Sequence, residues 1–439
     1  MSQKIDPNDP SNTSHAHKEM APRLERIRAV LGGTEEMREA GRELLPQHEK
    51  EGNGAYDERL ARTTLYNVTA MTLQSWVGQV FDEPVERDEA LPEQITALFD
   101  DIDGQGNALD VFAREWFKDG VSLAVAPMLV LFPQAEQSAQ PRTLKDDQQE
   151  GLRPTWNRIA PENVLYAREK KLSSGRTVIN HLRVLDFRLE PKGFIDEVIP
   201  QILVYTDTDV TVYEEVRVRG KSKWMPRGQP IPHDMGEVPL VVFYAEREEL
   251  MVGKTIMFDL ADLNIQHWQS TSDQISCLTV ARFPMLAMTG IADPPEGQQP
   301  IVVGPKKTLT SDNDSARFYY VEHGGQALAA GREDLKDLEA RMANFGAEFL
   351  KKRPGRESAS ARILDSAEAT SPIEDMALRF NDALDAAMYF TAKWLGIPAP
   401  KAGSLKVKTK FDKEEDQQEQ QDSAGSPPAT QPQDDSSES

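Results

Sequence analysis

The chain has 439 residues, a formal net charge of −22, 39% hydrophobic residues and one cysteine. That length exceeds what one hydrophobic core usually organises, so two or more subdomains are expected; the single Cys277 excludes an intramolecular disulfide framework and suits a reducing cytoplasm; no run of about twenty apolar residues predicts a transmembrane helix. The acidity argues against a protein that wraps nucleic acid by neutralising phosphates, but not against one past which nucleic acid slides.

In chain order, residues 1–20 are polar throughout, lack a signal peptide's apolar region and are expected to be disordered. The same expectation applies to residues 413–439, which hold one basic and eight acidic residues; that net −7 leaves −15 on the body. No internal repeat is visible. "AYDERLARTTLYNVTAMTLQSWVGQVF" (55–81) predicts one or two helices with an apolar stripe of Leu60, Val68, Met71, Trp76, Val77 and Val80, ended by Glu83-Pro84. "LDVFAREWFKDG" (109–120) predicts a helix stopped by its final glycine, and "VSLAVAPMLVLF" after it a buried strand. From about 156 to 245 the pattern turns to β, with "TVINHLRVLDFRLE", "QILVYTDTD", "TVYEEVRVRG" and a closing "VPLVVFYA", spaced as a meander.

A long helix is then expected over 257–283, ended by Pro284, followed by the strand-like pieces "MLAMTG", "PIVVG" and "RFYYVEH". A second long helix is expected over 327–350. Its apolar positions Leu335, Leu338, Met342, Phe345 and Phe349 step by 3, 4, 3 and 4, a narrow seam suited to packing on one or two neighbours. Pro354-Gly355 breaks it. Helical patterning resumes near Ala359, breaks again at "TSPIED", where Ser371, Pro372 and Glu374 make a capping box, and stops at Leu395-Gly396. Residues 359–395 are thus expected as a kinked or two-part helix.

Catalytic motifs fail on inspection. "GKT" (253–255) suggests a phosphate-binding loop, but the glycine required five positions earlier is Glu248 and the flanking "EREEL" would repel phosphate. The histidines (His15, His17, His181, His233, His267 and His323 among them) have no metal-binding spacing. His267 beside Trp268 reads as packed, Cys277 as a small buried hydrophobe, and "LFDDIDG" (98–104) as a solvated loop. No catalytic residue, metal ligand or cofactor is assigned. One cluster stands out: Lys351, Lys352, Arg353 and Arg356 in "FLKKRPGRES". Cations in a helix's last turn complement its macrodipole by about 0.3–1 kcal/mol each. That explains Lys351 and Lys352 and, on local sequence alone, is narrowly the better reading. It leaves Arg353 and Arg356, whose mutual repulsion a passing polyanion would offset.

The order of mixed domain, long helix, small β insert, long helix, short loop and kinked helix resembles the portal proteins of tailed bacteriophages. "YDERLARTTLYNVTAMTLQSWVGQVFDEPV" resembles the early helix of a portal subgroup long filed as a domain of unknown function. "VPLVVFYAEREELMVGKTIMFDLADLNIQHWQSTSDQISCLTVARFPMLAMTG" resembles the portal segment leading into the first stem helix. "ESASARILDSAEATSPIEDMALRFNDALDAAMYFTAKWLG" resembles the portion after the tunnel loop. The resemblance spans roughly residues 50–412 and implies an α+β fold: an N-terminal polar arm and helix (1–45), a mixed α/β wing (46–253), a first stem helix (254–283), a clip (284–326), a second stem helix (327–350), a tunnel loop (351–358), a kinked wing helix with a closing segment (359–412) and an acidic tail (413–439) where many portals carry a crown. It further implies a ring, dodecameric in the family as a rule, at one capsid vertex of the virion, assembled in the host cytoplasm. Implied partners are copies of itself, double-stranded DNA in the channel, the terminase large subunit, a head-tail adaptor and the major capsid or scaffold protein, with no membrane. Lys351, Lys352, Arg353 and Arg356 would then face DNA, and the 335–349 seam would lie between subunits. Two alternatives remain open: an enzymatic part of the packaging machine (motor ATPase or nuclease), and a scaffold with no nucleic-acid role.

Overall fold

A computed structural model describes residues 6–131, 152–218, 220–282, 285–290, 313–321, 325–345, 359–398 and 402–408. The elements in chain order are helices α1 (His15–Gly32), α2 (Thr34–Ala40), α3 (Asn53–Arg62) and α4 (Val68–Val80), strand β1 (Glu86–Arg87), and helices α5 (Glu93–Thr96) and α6 (Leu109–Leu123). Strands β2 (Val125–Leu131), β3 (Thr155–Arg158), β4 (Val164–Lys171), β5 (Thr177–Lys192), β6 (Ile195–Thr206), β7 (Asp209–Val218) and β8 (Lys221–Pro226) follow. After them come β9 (Ile231–Pro232), β10 (Leu240–Tyr244), β11 (Glu246–Glu249), β12 (Val252–Lys254) and helix α7 (Ile256–Arg282). The chain closes with β13 (Met285–Thr289), β14 (Arg317–Val321), helices α8 (Gly325–Ala343) and α9 (Ala359–Trp394), and β15 (Leu405–Lys406). The fold is α+β, as expected, and divides into two compact units: Met1–Arg28, Thr69–Asp259 and Arg353–Ser439 form one, Ala29–Val68 and Leu260–Lys352 the other. Residues 46–68, grouped with the wing by sequence texture, thus count with the second unit.

The first unit holds an antiparallel meander in the order β4-β5-β6-β7-β8 and a three-stranded sheet in the order β10-β2-β3. β10 therefore does not close the meander as "VPLVVFYA" suggested. Its apolar residues pair with those of β2, Leu240 opposite Leu129 and Phe243 opposite Ala126. α6 and α9 build an aromatic core with this sheet. Phe380 of α9 lies 5.0–5.3 Å, ring centroid to ring centroid, from Phe243, Trp116 and Phe117. Each tryptophan around it has its N–H satisfied: Trp116 donates to the Ala126 carbonyl (2.9 Å), Trp156 to Thr391 Oγ1 (2.9 Å) and Trp394 to the Val130 carbonyl (2.8 Å). A buried indole needs such a partner, since an unmet donor costs about 1–3 kcal/mol.

Four sequence expectations change here. α6 does not stop at Gly120 but runs to Leu123, and Ala124 ends it in the left-handed region at φ 68°. Gly120 serves close approach instead: a Cβ there would sit 2.1 Å from the Phe243 ring. The stretch 55–81 is two helices, separated at Thr63, whose extended backbone ends α3. Met71, placed on the apolar stripe, is 42% exposed. α9 is one helix with Pro372 inside it, not two parts with Ser371 as a cap. Finally, the polar start is folded from residue 6. Asp6 and Asp9 accept backbone N–H groups two residues on, forming Asx turns. Arg183 Nη1 donates to the Pro10 carbonyl (2.9 Å), and Ser14 N to the Leu165 carbonyl (2.8 Å), which ties the arm to the meander. Composition alone missed it because backbone carbonyls, not apolar side chains, hold it.

Candidate assembly surface

The second unit is built around α7 and α8. Three residues of α7 four apart, Asn264, Trp268 and Ser272, are fully buried, on one helical face because i, i+4 positions stack. Two of the three are polar, so this face is read by hydrogen bonds as well as by apolar contact. Asn264 Nδ2 donates to the Tyr66 carbonyl (2.9 Å), and the neighbouring Gln269 Nε2 to the Leu44 carbonyl (2.9 Å). Arg59 of α3 donates to Ser272 Oγ (3.3 Å) and to the Pro46 carbonyl (2.9 Å). It also forks onto Glu51, Nε to Oε1 and Nη2 to Oε2, both at 2.8 Å. These hydrogen bonds from Arg59 hold the Glu51 carboxyl down to about 2, against the opposing pull of burial. The 29–68 segment is thereby clasped to α7 by charge-assisted bonds, which are roughly twice as strong as neutral ones. Trp268 contrasts with the tryptophans of the first unit, because its buried Nε1 has no hydrogen-bond partner.

α7 and α8 meet at a glycine. Gln274 Nε2 donates to the Leu328 carbonyl (3.0 Å), and a Cβ on Gly331 would lie 2.1 Å from Gln274 Oε1. His267 Nε2 of α7 sits 3.7 Å from Glu339 Oε1 of α8, with Tyr66 tilted against its ring. Burial pushes the His267 pKa down, more than Glu339 raises it. A cleft of about 530 Å³ opens between the helices, lined by Leu278, Leu328 and Leu335 with Gln274, Arg332 and Glu339 among others. Beyond α7 the chain forms a two-stranded antiparallel pair, Met285 opposite Val321 through Thr289 opposite Arg317. The strand pieces "MLAMTG" and "RFYYVEH" are these two; "PIVVG" lies outside the described residues.

The 3-4 seam of α8 divides. Leu338 and Met342 are buried within the chain's own second unit, at 1% and 0% exposure, whereas Leu335 and Phe345 are half-buried. Phe349 and the basic residues Lys351, Lys352, Arg353 and Arg356 lie outside the described residues, as do 291–312 and 409–439. Cys277, expected buried, is exposed on α7. The periodicity that marked Leu338 and Met342 was therefore a core signal. Arg59, Glu51, Asn264 and Ser272 gave no apolar signal at all. Their trace in the sequence is an interruption: "LNIQHWQSTSDQ" stays polar through a helix of 27 residues.

The rejected motifs resolve into structural roles. Lys254 of "GKT" pairs with Glu248 across the β11–β12 hairpin. A Cβ on Gly253 would approach the Ala124 and Glu246 carbonyls to 2.9 Å. Thr255 Oγ1 donates to the Val121 carbonyl (2.6 Å) and accepts from Met257 N (3.3 Å), capping α7. In "LFDDIDG", Asp101 accepts from Gly106 N (2.7 Å), while Asp103 accepts from Gln105 N (2.9 Å) and Asn107 Nδ2 (2.7 Å). Those carboxylates organise their own loop. Among the described residues no group of three or more His, Cys, Asp or Glu side chains could hold a metal ion, and no helix is long and apolar enough to cross a membrane.

Residues 256–395, from the start of α7 to just past the end of α9, match the family described as "Domain of unknown function (DUF4055)". No curated protein matches the chain. Among solved structures, it is similar to a chain in the "Virion of native gene transfer agent (GTA) particle" and to one in the "Neck of native GTA particle computed with C12 symmetry". Each has 10% identity and a TM-score of 0.41, covering 82% of this chain and 86% of the other. A chain in the "Neck of empty GTA particle computed with C6 symmetry" gives 11%, 0.40, 82% and 86%. At such TM-scores these likenesses carry no functional argument.

Proposed function

We propose that the chain is the subunit of a portal-type ring, a structural conduit for double-stranded DNA at one capsid vertex of a phage-like virion. The observation that supports this most is the run from α7 to α9. Two long helices flank a strand pair that brings Met285 opposite Val321, and a basic segment separates the second helix from the 36-residue α9. This is the order of stem, clip, stem, tunnel loop and wing helix that the sequence resemblance implies. In a ring, Lys351, Lys352, Arg353 and Arg356 would form a thin positive collar in an acidic tube. Sequence-independent phosphate contacts of that kind are weakened by salt and need not arrest a moving duplex. The clip would face the terminase large subunit during packaging and a head-tail adaptor afterwards, and the outer wing would meet the capsid or scaffold protein.

The buried Leu338 and Met342 leave other surface for neighbouring subunits: the half-buried Leu335 and Phe345 and the cleft between α7 and α8. A heterologous contact of this kind closes into a ring when its rotation divides the circle. Light scattering on the purified protein tests the reading. A ring gives many multiples of the 49.1 kDa chain mass; a species of one or two chains at micromolar concentration contradicts it. Replacing the four basic residues with Gln should leave that mass unchanged and lower the retention of packaged DNA.

A further inference from the structure

The β7–β8 hairpin of the meander has a charge opposite to that of the chain. Residues 216–227, VRVRGKSKWMPR, contain five basic and no acidic residues, in a sequence with 72 acidic and 50 basic overall. Register pairs Val218 with Lys221, Arg217 with Ser222 and Val216 with Lys223. Alternation along the strands therefore sends Lys221 and Lys223 to one face and Arg217 to the other. All three are exposed. Nearer the base, Arg227 is held 2.9 Å from Glu214. Arg217, Lys221 and Lys223 have no ion pair among the described residues. Lysines on an outer strand guard against edge-to-edge pairing, and β8 is the outer strand of its sheet. That role covers Lys221 and Lys223. It does not cover Arg217 on the inner strand β7, nor the lack of any carboxylate to balance the tip.

We propose that this hairpin is a docking surface for the acidic segment 413–439 of the same chain. The charges are complementary, eight acidic residues and one basic against the cationic tip. The last described residue of the chain, Lys408, belongs to the same unit as the hairpin. Thirty residues can span up to about 100 Å, so reach is not limiting. Tethering supplies an effective concentration in the millimolar range, which lets contacts that are each weak and exposed act together. A free polyanion such as DNA lacks that advantage and meets the repulsion of the acidic body first. The pairing is electrostatic, so it weakens as salt screens it within about 10 Å at 0.1 M.

Zero-length carbodiimide cross-linking of the full chain, read by mass spectrometry, tests the proposal. The exposed Lys254–Glu248 pair supplies an internal standard. The expected result is peptides joining 413–439 to Lys221 or Lys223, with a yield that falls at least five-fold in 0.5 M salt. Arg217→Gln, which removes charge without removing a reactive amine, should lower that yield several-fold and leave the standard unchanged. Tail carboxylates linked elsewhere, or unlinked while the standard forms, overturn the proposal. So does a tail that leaves Lys221 and Lys223 open to acetylation while a 30-base-pair DNA duplex shields them, which would make the hairpin a nucleic-acid surface.

Discussion

The aromatic core around Phe380 and the helix pair α7–α8 are held in different ways. In the first, five aromatic rings interlock and every tryptophan N–H there has a carbonyl or hydroxyl partner. In the second, polar side chains reach backbone carbonyls across a helix face, one buried indole donor is unmet, and the cleft beside Leu335 remains open. A dense apolar core is finished within one chain. A polar clasp with an open cleft is a surface that more protein can complete. The comparison locates rigidity in the first unit and assembly in the second, and it can be broken at several points.

The largest effect is expected in the core. Phe380→Ala removes a fully buried ring and should destabilise by about 3–5 kcal/mol. Loss of the cooperative thermal transition of the first unit, followed by near-ultraviolet circular dichroism, is the check. Gly120→Ala acts on the same core from the opposite direction. Its Cβ would enter the Phe243 ring, and overpacking of this kind costs roughly 1–3 kcal/mol.

The clasp comes next. Arg59→Ala leaves the nearly buried Glu51 carboxylate without its fork, and such breaks cost about 3 kcal/mol or more. Denaturation should show the deficit, and the double variant with Glu51→Gln should recover part of it. The same pair sets a pH dependence. Folding lowers the Glu51 pKa from its ordinary 4.5 to about 2. The clasp is therefore at full strength above about pH 4.5 and is lost as pH falls through about 2. Stability measured from pH 6 to 2 should decline more steeply in the parent than in Glu51→Gln.

The smallest effect on folding, and the sharpest on assembly, is expected from Leu335→Asp. Leu335 is half-buried at the cleft, so the chain should still fold, with a thermal midpoint within a few degrees of the parent, while the assembled mass falls. Leu338→Asp does not separate the two outcomes, because it places a charge in the chain's own core.

How much of this was legible in the sequence follows from what kind of force holds each part. The meander, α7, α8 and the strand pair β13–β14 announce themselves through period-2 and helical patterning, since apolar burial drives them. The order of these elements was enough to suggest a portal-like chain. Regions held by hydrogen bonds were not legible. The arm from Asp6 to Ser14 reads as disorder because Arg183 and backbone carbonyls hold it. The fork of Arg59 on Glu51 reads as surface charge. At the candidate site, the 3-4 seam was found correctly as a pattern, but periodicity cannot say whose core it enters; Leu338 and Met342 enter the chain's own. Gly120 carried a cap signature and proved to be a packing glycine, a distinction only the position of Phe243 decides.

Negative-stain imaging of the purified full-length protein tests the central claim most directly. A ring-forming conduit predicts closed annular particles with an open centre wide enough for a DNA duplex, about 20 Å across, and the same particles should persist in Lys351→Gln/Lys352→Gln/Arg353→Gln/Arg356→Gln. Compact particles of one or two chains without a central opening, at concentrations where the protein is folded, would contradict it.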